Sequence, residues 1–288
     1  MIPRHMARAT VCAAAALLAA GCASSGAGNV PPVANAPSSA ETAAALDRIL
    51  AGNQRSESNR ARDAYRHPRE TLLFFGVRAD MRVVEVWPDT GWYTEVIAPL
   101  VQASGKYYAA QQPDDGRSKY VASQLAAFRA KLAARPDLYA GAEMTTLGRS
   151  GGDIAPPASV DLIVTFRNVH NWMAQGWAAE AFASMYRALK PGGTLGVVEH
   201  RGNPAQAQDP AARSGYVNED YAVRLIEAAG FRLVEKSEIN ANPRDTKDYP
   251  QGVWTLPPSY RLGAEDHDKY AAIGESDRFT LKFIKPRG

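Results

Sequence analysis

The sequence predicts an α/β fold in which helices cover both faces of a doubly wound, mostly parallel β-sheet. From Met81 onward, short runs rich in β-branched and aromatic residues alternate with longer runs whose apolar residues have helical spacing. This alternation is typical of βαβ units, whose consecutive strands lie parallel. The chain has 288 residues, of which 45% are hydrophobic and 22% charged, so it can bury one substantial core.

Strand-like and helix-like runs follow one another in a regular order. The strand-like runs are MRVVEVW, GKYYAAQ, VDLIVTF, GTLGVVEH and FRLVEKSEI, and the helix-like runs are TEVIAPLVQA, SKYVASQLAAFRAKLAA, WAAEAFASMYRALK and NEDYAVRLIEAAG. The segment LKPGG separates a helix from a strand, because Pro and Gly end helices. A last strand, RFTLKFIKP, follows a Pro-rich excursion over about 240–277, which we interpret as a lid.

The N-terminal residues have the pattern of an export signal. Arg4, His5 and Arg8 precede an apolar run that is too short to span a membrane and ends in LAAGC. LAAGC resembles a bacterial lipobox, which implies removal of residues 1–21 and diacylation of Cys22, so that the lipid bilayer is a predicted partner. Ala follows this cysteine where Asp would retain the protein, which implies an outer-membrane location facing the periplasm. A plain secretory signal cleaved a few residues later is the alternative.

Three segments follow the predicted signal. Residues 22–40 are rich in Ser, Gly, Pro and Ala, which is typical of a flexible tether. Residues 41–80 have helical spacing that Pro68 interrupts or restarts, and we predict that they form cap helices. Residues 81–288 form the main domain with its lid.

Charge and cysteine content exclude several kinds of site. Loss of Arg4 and Arg8 with the signal reduces the 33 basic residues to 31, against 30 acidic residues, so nothing indicates nucleic-acid binding. Loss of Cys12 leaves an acylated Cys22, so neither a disulfide nor a zinc site with cysteine ligands is expected. The five histidines are scattered, and we predict no metal.

From about Glu70 to Lys285 the order of elements resembles that of the class I S-adenosylmethionine-dependent methyltransferases. The segments FFGVRADMRVVEVWPDTGWYTE, TFRNVHNW, LKPGG, EAAGF and GVWTLPPSY resemble an uncharacterised bacterial family of predicted methyltransferases. The resemblance implies a Rossmann-like sheet of seven strands, with an antiparallel last strand inserted next to the edge. It also implies S-adenosylmethionine as the cofactor and a small molecule as the methyl acceptor.

The resemblance implies cofactor contacts at the carboxyl ends of the strands. Glu85 takes the acidic place at the end of the first strand, where a carboxylate can accept from the cofactor's ammonium group. The next turn keeps Gly91, but Trp87 and Asp89 stand where glycines are usual. Trp87 is therefore expected either to point into the core or to replace part of the pocket wall. Gln111 holds the ribose-binding place, where a carboxylate is usual.

For the other predicted cofactor contacts, the sequence is compatible with more than one role. Asp153, in GGDIAPP, resembles the acidic residue that meets the adenine amino group, although this sequence also suits an ordinary turn. Asn168 is a candidate for the cofactor carboxylate or a substrate carbonyl, and the alternative is a helix N-cap. Asp114 or Asp115 would compensate for Gln111 after a loop shift, or would lie in a solvated turn.

The segment RNVHNW crowds polar groups at the mouth of a parallel sheet. We interpret Arg167, His170 and Asn171 as catalytic candidates. His170 suits a general base near neutral pH, and the alternative is that it bonds a backbone carbonyl and shapes the loop. Trp172 is predicted to be a core or wall residue.

Three pairs of residues are substrate candidates: Glu199 with His200, Tyr65 with His67, and Trp254 with Tyr260. The first pair ends the fifth strand at the same edge of the sheet, or pairs only with Arg201. The second precedes the first strand, where a cover helix would close, or is a structural pair. The third offers apolar walls from the lid, or packing anchors.

Two functions from different classes follow. The first is an S-adenosylmethionine-dependent methyltransferase with an unknown small substrate, in which positioning and a nearby base carry catalysis. The second is a non-catalytic periplasmic ligand-binding lipoprotein built on the same fold, because a protein anchored outside the inner membrane has no obvious supply of this cofactor. The fold does not decide between them, since doubly wound sheets host many functions.

Overall fold

The computed structural model describes residues 37–150 and 152–288. The predicted signal peptide, Cys22 and most of the predicted tether lie outside the described residues. Within the described ranges, no helix combines the length and the apolar character that a membrane span requires.

Seven strands form the sheet: β1 (Arg82–Val86), β2 (Lys106–Gln111), β3 (Ala142–Thr146), β4 (Val160–Phe166), β5 (Leu189–His200), β6 (Arg232–Ser237) and β7 (Arg278–Ile284). Their order is β3-β2-β1-β4-β5-β7-β6. Strands β1 to β5 pair in parallel, whereas β7 is antiparallel to both of its neighbours. The predicted α/β class and the inserted antiparallel last strand are therefore confirmed.

The helices are α1 (Ser39–Leu50), α2 (Glu57–Arg60), α3 (Asp63–Arg66), α4 (Pro68–Phe75), α5 (Thr94–Val101), α6 (Lys119–Ala134), α7 (Pro136–Tyr139), α8 (Val169–Ala174), α9 (Ala178–Ala188), α10 (Glu219–Ala228) and α11 (His267–Ile273). A 3₁₀ helix covers Gly252–Thr255. The first helix begins at a capping box, in which Ser38 and Glu41 each bond the other's backbone N–H. The fourth begins at Pro68, where the missing N–H costs nothing.

Successive residues of β1 point to opposite faces of the sheet and so belong to two hydrophobic cores. Val83 packs in the core beneath α1, α4 and α5. Val84 and Val86 pack in the core beneath α8, α9 and α10. This alternation decides which side chains at the end of β1 can reach a ligand.

Two details differ from the expected strand pattern. The sequence pattern did not identify β3, because its residues AEMTT form a half-exposed edge strand without a continuous apolar face. Strand β5 begins at Leu189, directly after α9, so it includes LKPGG rather than following it. Gly192 allows this, since it has a φ of 82° while its N–H donates to the carbonyl of Lys285.

Candidate active site

The turn between β1 and α5 holds three residues in the left-handed region: Trp87 (φ 50°), Asp89 (φ 52°) and Gly91 (φ 82°). A non-glycine residue in this region costs on the order of 1–3 kcal/mol, so its surroundings must hold it there. Trp87 is held by the core. Its ring lies 5.7 Å from that of Trp172, and its Nε1 donates to the carbonyl oxygen of Leu147 at 3.0 Å.

Of the two arrangements expected for Trp87, the structure shows the one in which the indole points into the core. Asp89 instead presents its carboxyl group to a cavity at the edge of the sheet. At Gly91, a Cβ atom would lie 3.0 Å from both Phe128 and Thr94, so a side chain there would be crowded as well as strained. The turn thus keeps a glycine for packing and offers one acidic group to a ligand.

Glu85 does not lie on that cavity. It shares a face of the sheet with Val83, and its Oε2 accepts hydrogen bonds from the hydroxyls of Tyr107 (2.6 Å) and Thr94 (3.0 Å). Burial raises its pKa from 4.5 to about 7, although both hydroxyls lower it. The role in cofactor binding implied by the resemblance stays a prediction that this geometry does not favour.

We expect Glu85→Gln to stabilise the protein above pH 7. The folded-state pKa of about 7 exceeds the unfolded value of 4.5, so the stability that the protonated group contributes is lost as pH rises through 7. A shift of this size corresponds to about 3 kcal/mol. Urea unfolding should therefore show Glu85→Gln gaining up to this amount above pH 7 and little below pH 4.5.

The control for this experiment is Glu143→Gln, which changes the same charge at an exposed position on β3 and should leave the pH dependence unchanged. If Glu85→Gln behaves like the control, the carboxyl group of Glu85 is not desolvated as described. The variant also tests the cofactor role of Glu85, because a ligand-induced stabilisation should survive in Glu85→Gln if this residue lies outside the site.

The residues expected to contact the ribose and the adenine, Gln111 and Asp153, also do not line the cavity. Gln111 is buried, donates weakly from Nε2 to the carbonyl of Asp89 at 3.4 Å, and borders a void of only about 10 Å³. Asp153 is exposed. Asp114 and Asp115 each accept from a backbone N–H two residues ahead, as in a solvated turn.

The main cavity has a volume of about 510 Å³ and opens at the carboxyl ends of β1, β4 and β5, beneath the lid. This size is usual for small-molecule sites, and the position lies next to the topological switch point between β1 and β4. From the sheet edge it is lined by Asp89, Gln112, Phe166, Arg167, Asn168, His170, Asn171 and His200. The structure thus brings together the predicted residues of RNVHNW, and Trp254 of the lid lines the same cavity.

Asn168 occupies the N-cap position of α8, but its side chain caps no helix N–H. Its Nδ2 donates instead to the carbonyl of Val86 at 2.9 Å and to Oγ1 of Thr165 at 3.1 Å. Both amide hydrogens are therefore engaged, and Oδ1 is the atom left for a ligand. An oxygen without a partner among the described residues suits a donor such as an ammonium group and not the cofactor carboxylate considered from the sequence.

His170 and Glu199 form a buried dyad at the same edge. Nδ1 of His170 lies 3.0 Å from Oε1 of Glu199, and the backbone N–H of His170 donates to Oε2 at 3.2 Å. Because the carboxylate holds the Nδ1 hydrogen, Nε2 is left as the acceptor for a ligand in the cavity. The side chain of His170 thus bonds a carboxylate and not a backbone carbonyl. Glu199 does not pair with Arg201 either, because Arg201 pairs with Glu219 and Glu238.

His200 lies beside this dyad, with its ring 5.4 Å from that of His170 and its Nδ1 hydrogen-bonded to Oγ of Ser276. Burial, together with the neighbouring His170, holds the pKa of His200 well below its usual value, so the ring is neutral at pH 7. It therefore offers a polar contact without adding charge to the cavity.

In the part of the chain that the structure describes, one group of potential metal ligands is compact: His170, Glu199 and His200, with ligand atoms within 4.8 Å of one another. Both oxygens of Glu199 already accept N–H groups, and Nδ1 of each histidine is engaged. Binding of a metal ion here would therefore compete with hydrogen bonds that Glu199 already accepts. The hydrogen-bonded dyad is the better description of this group.

The other substrate candidates are dispersed. Tyr65 and His67 line a separate cavity of about 310 Å³, together with Asn240 and Arg244. Tyr260 stacks on His267 at 4.2 Å and does not line the main cavity, so in this structure it acts as a packing anchor of the lid.

The charged residues that complete the main cavity are not recognisable from the sequence pattern. Arg62 directly precedes α3, and Arg66 is its last residue. Both pair with Glu275 at the end of the lid. Arg278, at the start of β7, lines the same cavity. More than 200 residues separate Glu275 from Arg62 and Arg66 in the chain. The spacing of Arg62 and Arg66, one helical turn apart, was the one local signal for this group.

No protein-family model matches the chain, and no curated protein matches it. Solved structures do resemble it. A SAM-dependent methyltransferase from Aquifex aeolicus shares 16% identity at a TM-score of 0.54, covering 78% of this chain and 93% of that chain. The [4+2]-cyclase SpnF shares 16% identity at a TM-score of 0.55, covering 86% of this chain and 93% of that chain. The glycopeptide N-methyltransferase MtfA, complexed with S-adenosyl-L-homocysteine, shares 16% identity at a TM-score of 0.50, covering 78% of this chain and 90% of that chain.

At this identity the likeness shows the fold alone, and it confirms the methyltransferase-type Rossmann-like fold that the sequence predicts. The names of these proteins include a cyclase as well as methyltransferases. Function must therefore be argued from the site of this chain.

Proposed function

We propose that this protein is an S-adenosylmethionine-dependent methyltransferase that acts on a small molecule. The observation that carries the proposal is the His170–Glu199 dyad, in which Glu199 engages Nδ1 of a histidine that lines a cavity of about 510 Å³ at the edge of a methyltransferase-type sheet. A base at this place can take the proton that an O–H or N–H acceptor loses on methylation.

The residues around the cavity fit the cofactor in a pose displaced from the usual one. Glu85 and Gln111 are buried away from the cavity, but the carboxyl group of Asp89 and Oδ1 of Asn168 are acceptors for the ammonium group. Tyr120, at the start of α6, offers an aromatic face for the adenine ring on the same side. When bound, S-adenosylmethionine supplies the electrophilic methyl group.

The residues of the chain supply positioning and proton transfer. Nε2 of His170 accepts the proton of the acceptor group, and the Glu199 carboxylate stabilises the resulting imidazolium while fixing the orientation of the ring. Val253 and Trp254 of the lid cover the cavity, and Trp254 packs edge-on against His170 at 5.9 Å. Exclusion of water by this cover strengthens the electrostatic interactions beneath it.

Thermal unfolding with S-adenosylmethionine or S-adenosyl-L-homocysteine tests the proposal. A ligand present at about a hundred times its Kd adds about 2.7 kcal/mol of stability, which raises the Tm measurably. We expect this shift for the purified protein and a smaller one for Asp89→Asn. Asp114→Asn, in a solvated turn, is the matched control and should keep the full shift. Absence of any shift at millimolar cofactor would contradict the proposal.

A second candidate, a non-catalytic ligand-binding lipoprotein, is favoured by the charge of the cavity. Five arginines line it, which suits an anionic ligand better than a cationic sulfonium. We also propose that Cys22 is acylated and anchors the protein to the outer membrane, facing the periplasm, on the basis of the LAAGC sequence. In that location a binding role would need no supply of S-adenosylmethionine.

A further inference from the structure

We propose that the four arginines around Glu275, namely Arg62, Arg66, Arg167 and Arg278, form an oxyanion subsite that binds a phosphate or carboxylate group of the ligand. We call this group the arginine cluster. The inference rests on the proposed function in one respect only, since it makes the methyl acceptor an anionic small molecule. Binding of the anion itself needs no cofactor.

One buried carboxylate serves three of these guanidinium groups. Nε of Arg62 lies 2.7 Å from Oε1 of Glu275, Nε of Arg66 lies 3.2 Å from Oε2, and Arg278 also pairs with Oε2. Burial alone would raise the pKa of Glu275, but Arg278, Arg66 and Arg62 together lower it below its usual value. Glu275 is therefore ionised and fully engaged.

The fourth arginine has no such partner. The side chain of Arg167 makes no ion pair or hydrogen bond with any residue of the described ranges, and it lines the cavity. Burial, followed by the neighbouring Arg278, lowers the pKa of Arg167 to about 10. It thus remains a cation at neutral pH, in a place where its charge is poorly solvated.

Arg278 carries the second unmatched donor. Its residue is only 2% exposed, and among the described residues its Nε has no hydrogen-bond partner. One of its terminal nitrogens pairs with Glu275 and the other donates to the carbonyl of Tyr65 at 3.1 Å. A buried donor left unpaired is costly, so this nitrogen adds to the poorly compensated positive charge beside the cavity.

The charges of the whole cavity do not balance either. Arg261 of the lid lines the cavity in addition to the arginine cluster, so the cavity has five arginines. Within the described ranges only two carboxylates line it, those of Asp89 and Glu275, and the nearby His200 is neutral. Excess charge in a partly buried site is unfavourable until a counter-ion binds. Guanidinium groups are planar forks that bind the paired oxygens of phosphate or carboxylate.

The chemical class of the ligand follows from these contacts and from the size of the cavity. A volume of about 510 Å³ holds a small molecule rather than a polymer segment. His170 lines the same cavity, so an anionic group bound at the arginine cluster leaves the remainder of the molecule in the space that the dyad faces. The arginine cluster would thereby select anionic acceptors and orient them.

Inorganic phosphate and citrate are suitable probes, because they present the two oxyanion types without a cofactor. We would measure the Tm and the Kd, by thermal unfolding and calorimetry, at an ionic strength matched with sodium chloride. Arg167→Gln should raise the Kd at least tenfold and remove most of the Tm shift. Arg224→Gln, which removes an exposed arginine of α10 away from the cavity, should bind as the unaltered protein does.

Equal Tm shifts in all three proteins would indicate the general stabilisation that such salts give, and would overturn the proposal, as would no shift at all. If Arg167→Gln does not fold, Arg167→Lys keeps the charge but loses the planar fork, and should still weaken binding. Tighter binding of phosphate than of citrate assigns a phosphate-bearing ligand, and the reverse assigns a carboxylate. A Tm shift with phosphate or citrate, together with no Tm shift with S-adenosylmethionine, would support anion binding at the arginine cluster and contradict the proposed methyltransferase activity.

Discussion

Replacement of His170 by Gln is expected to lower the rate of methyl transfer by about 10²–10⁴-fold, which is the usual contribution of a general base. The glutamine amide has a similar size but accepts no proton, so the acceptor group would lose its proton to water. Glu199→Gln should also lower the rate, because the carboxylate that orients and stabilises the His170 ring is removed. The rate is measured by transfer of a labelled methyl group from S-adenosylmethionine to pools of phosphorylated and carboxylated small molecules.

The control for the dyad is His267→Gln, which alters a partly exposed histidine of the lid outside the cavity and should keep full activity. The stabilisation by S-adenosylmethionine should persist in His170→Gln, since this residue is not among the proposed cofactor contacts. Equal activity of His170→Gln and His267→Gln would show that His170 is not the base.

Glu275→Gln is expected to destabilise the protein by about 3–5 kcal/mol, the usual cost of removing one partner from a buried ion pair. The variant leaves Arg66 and Arg278 buried without a carboxylate, and the positive charge of Arg167 lies close to both. Urea unfolding at neutral pH measures the loss. Addition of phosphate should recover part of it, because the anion takes the place of the missing charge.

The pH dependence of this effect has a definite sign. The pKa of Glu275 is lowered in the folded state, so its contribution is present above the unfolded value of 4.5 and is lost as pH falls through the folded value. The difference between the two proteins should therefore shrink in strong acid. Glu238→Gln is the control, because Glu238 pairs with Arg201 at the surface and should contribute at most about 1 kcal/mol. A comparable loss in both variants would contradict the burial of the arginine cluster.

The fold was predictable from the sequence because its central strands are buried on both faces. Runs such as VDLIVTF are short, mostly apolar and almost entirely buried, as the strands of parallel sheets usually are, and the intervening helices have clear periodicity. Strand β3 was not predictable by the same reasoning, since an edge strand needs no continuous apolar pattern. Pattern reasoning therefore works best where burial is greatest.

The candidate site was predictable only where its residues are neighbours in the chain. RNVHNW follows directly after β4, so its side chains meet at one edge whatever the rest of the chain does. Glu85 was assigned to the site by analogy of position, yet the alternation of side chains along β1 directs it to the same face as Val83, next to Tyr107. Two partners of Glu275, Arg62 and Arg66, depend on tertiary packing over more than 200 residues, which no local pattern contains.

The pairing of Arg62 and Arg66 with Glu275 joins the region around α3 to the segment that directly precedes β7. The site therefore combines residues that are synthesised before β1 with residues that are synthesised after β6. A nascent chain that ends before Glu275 already holds the dyad and the segment after β4, but its Arg62 and Arg66 lack the carboxylate that they bind in the folded protein. Completion of the cavity thus requires synthesis of the segment around Glu275, so that proteins truncated before this residue would lose the arginine cluster as well as β7.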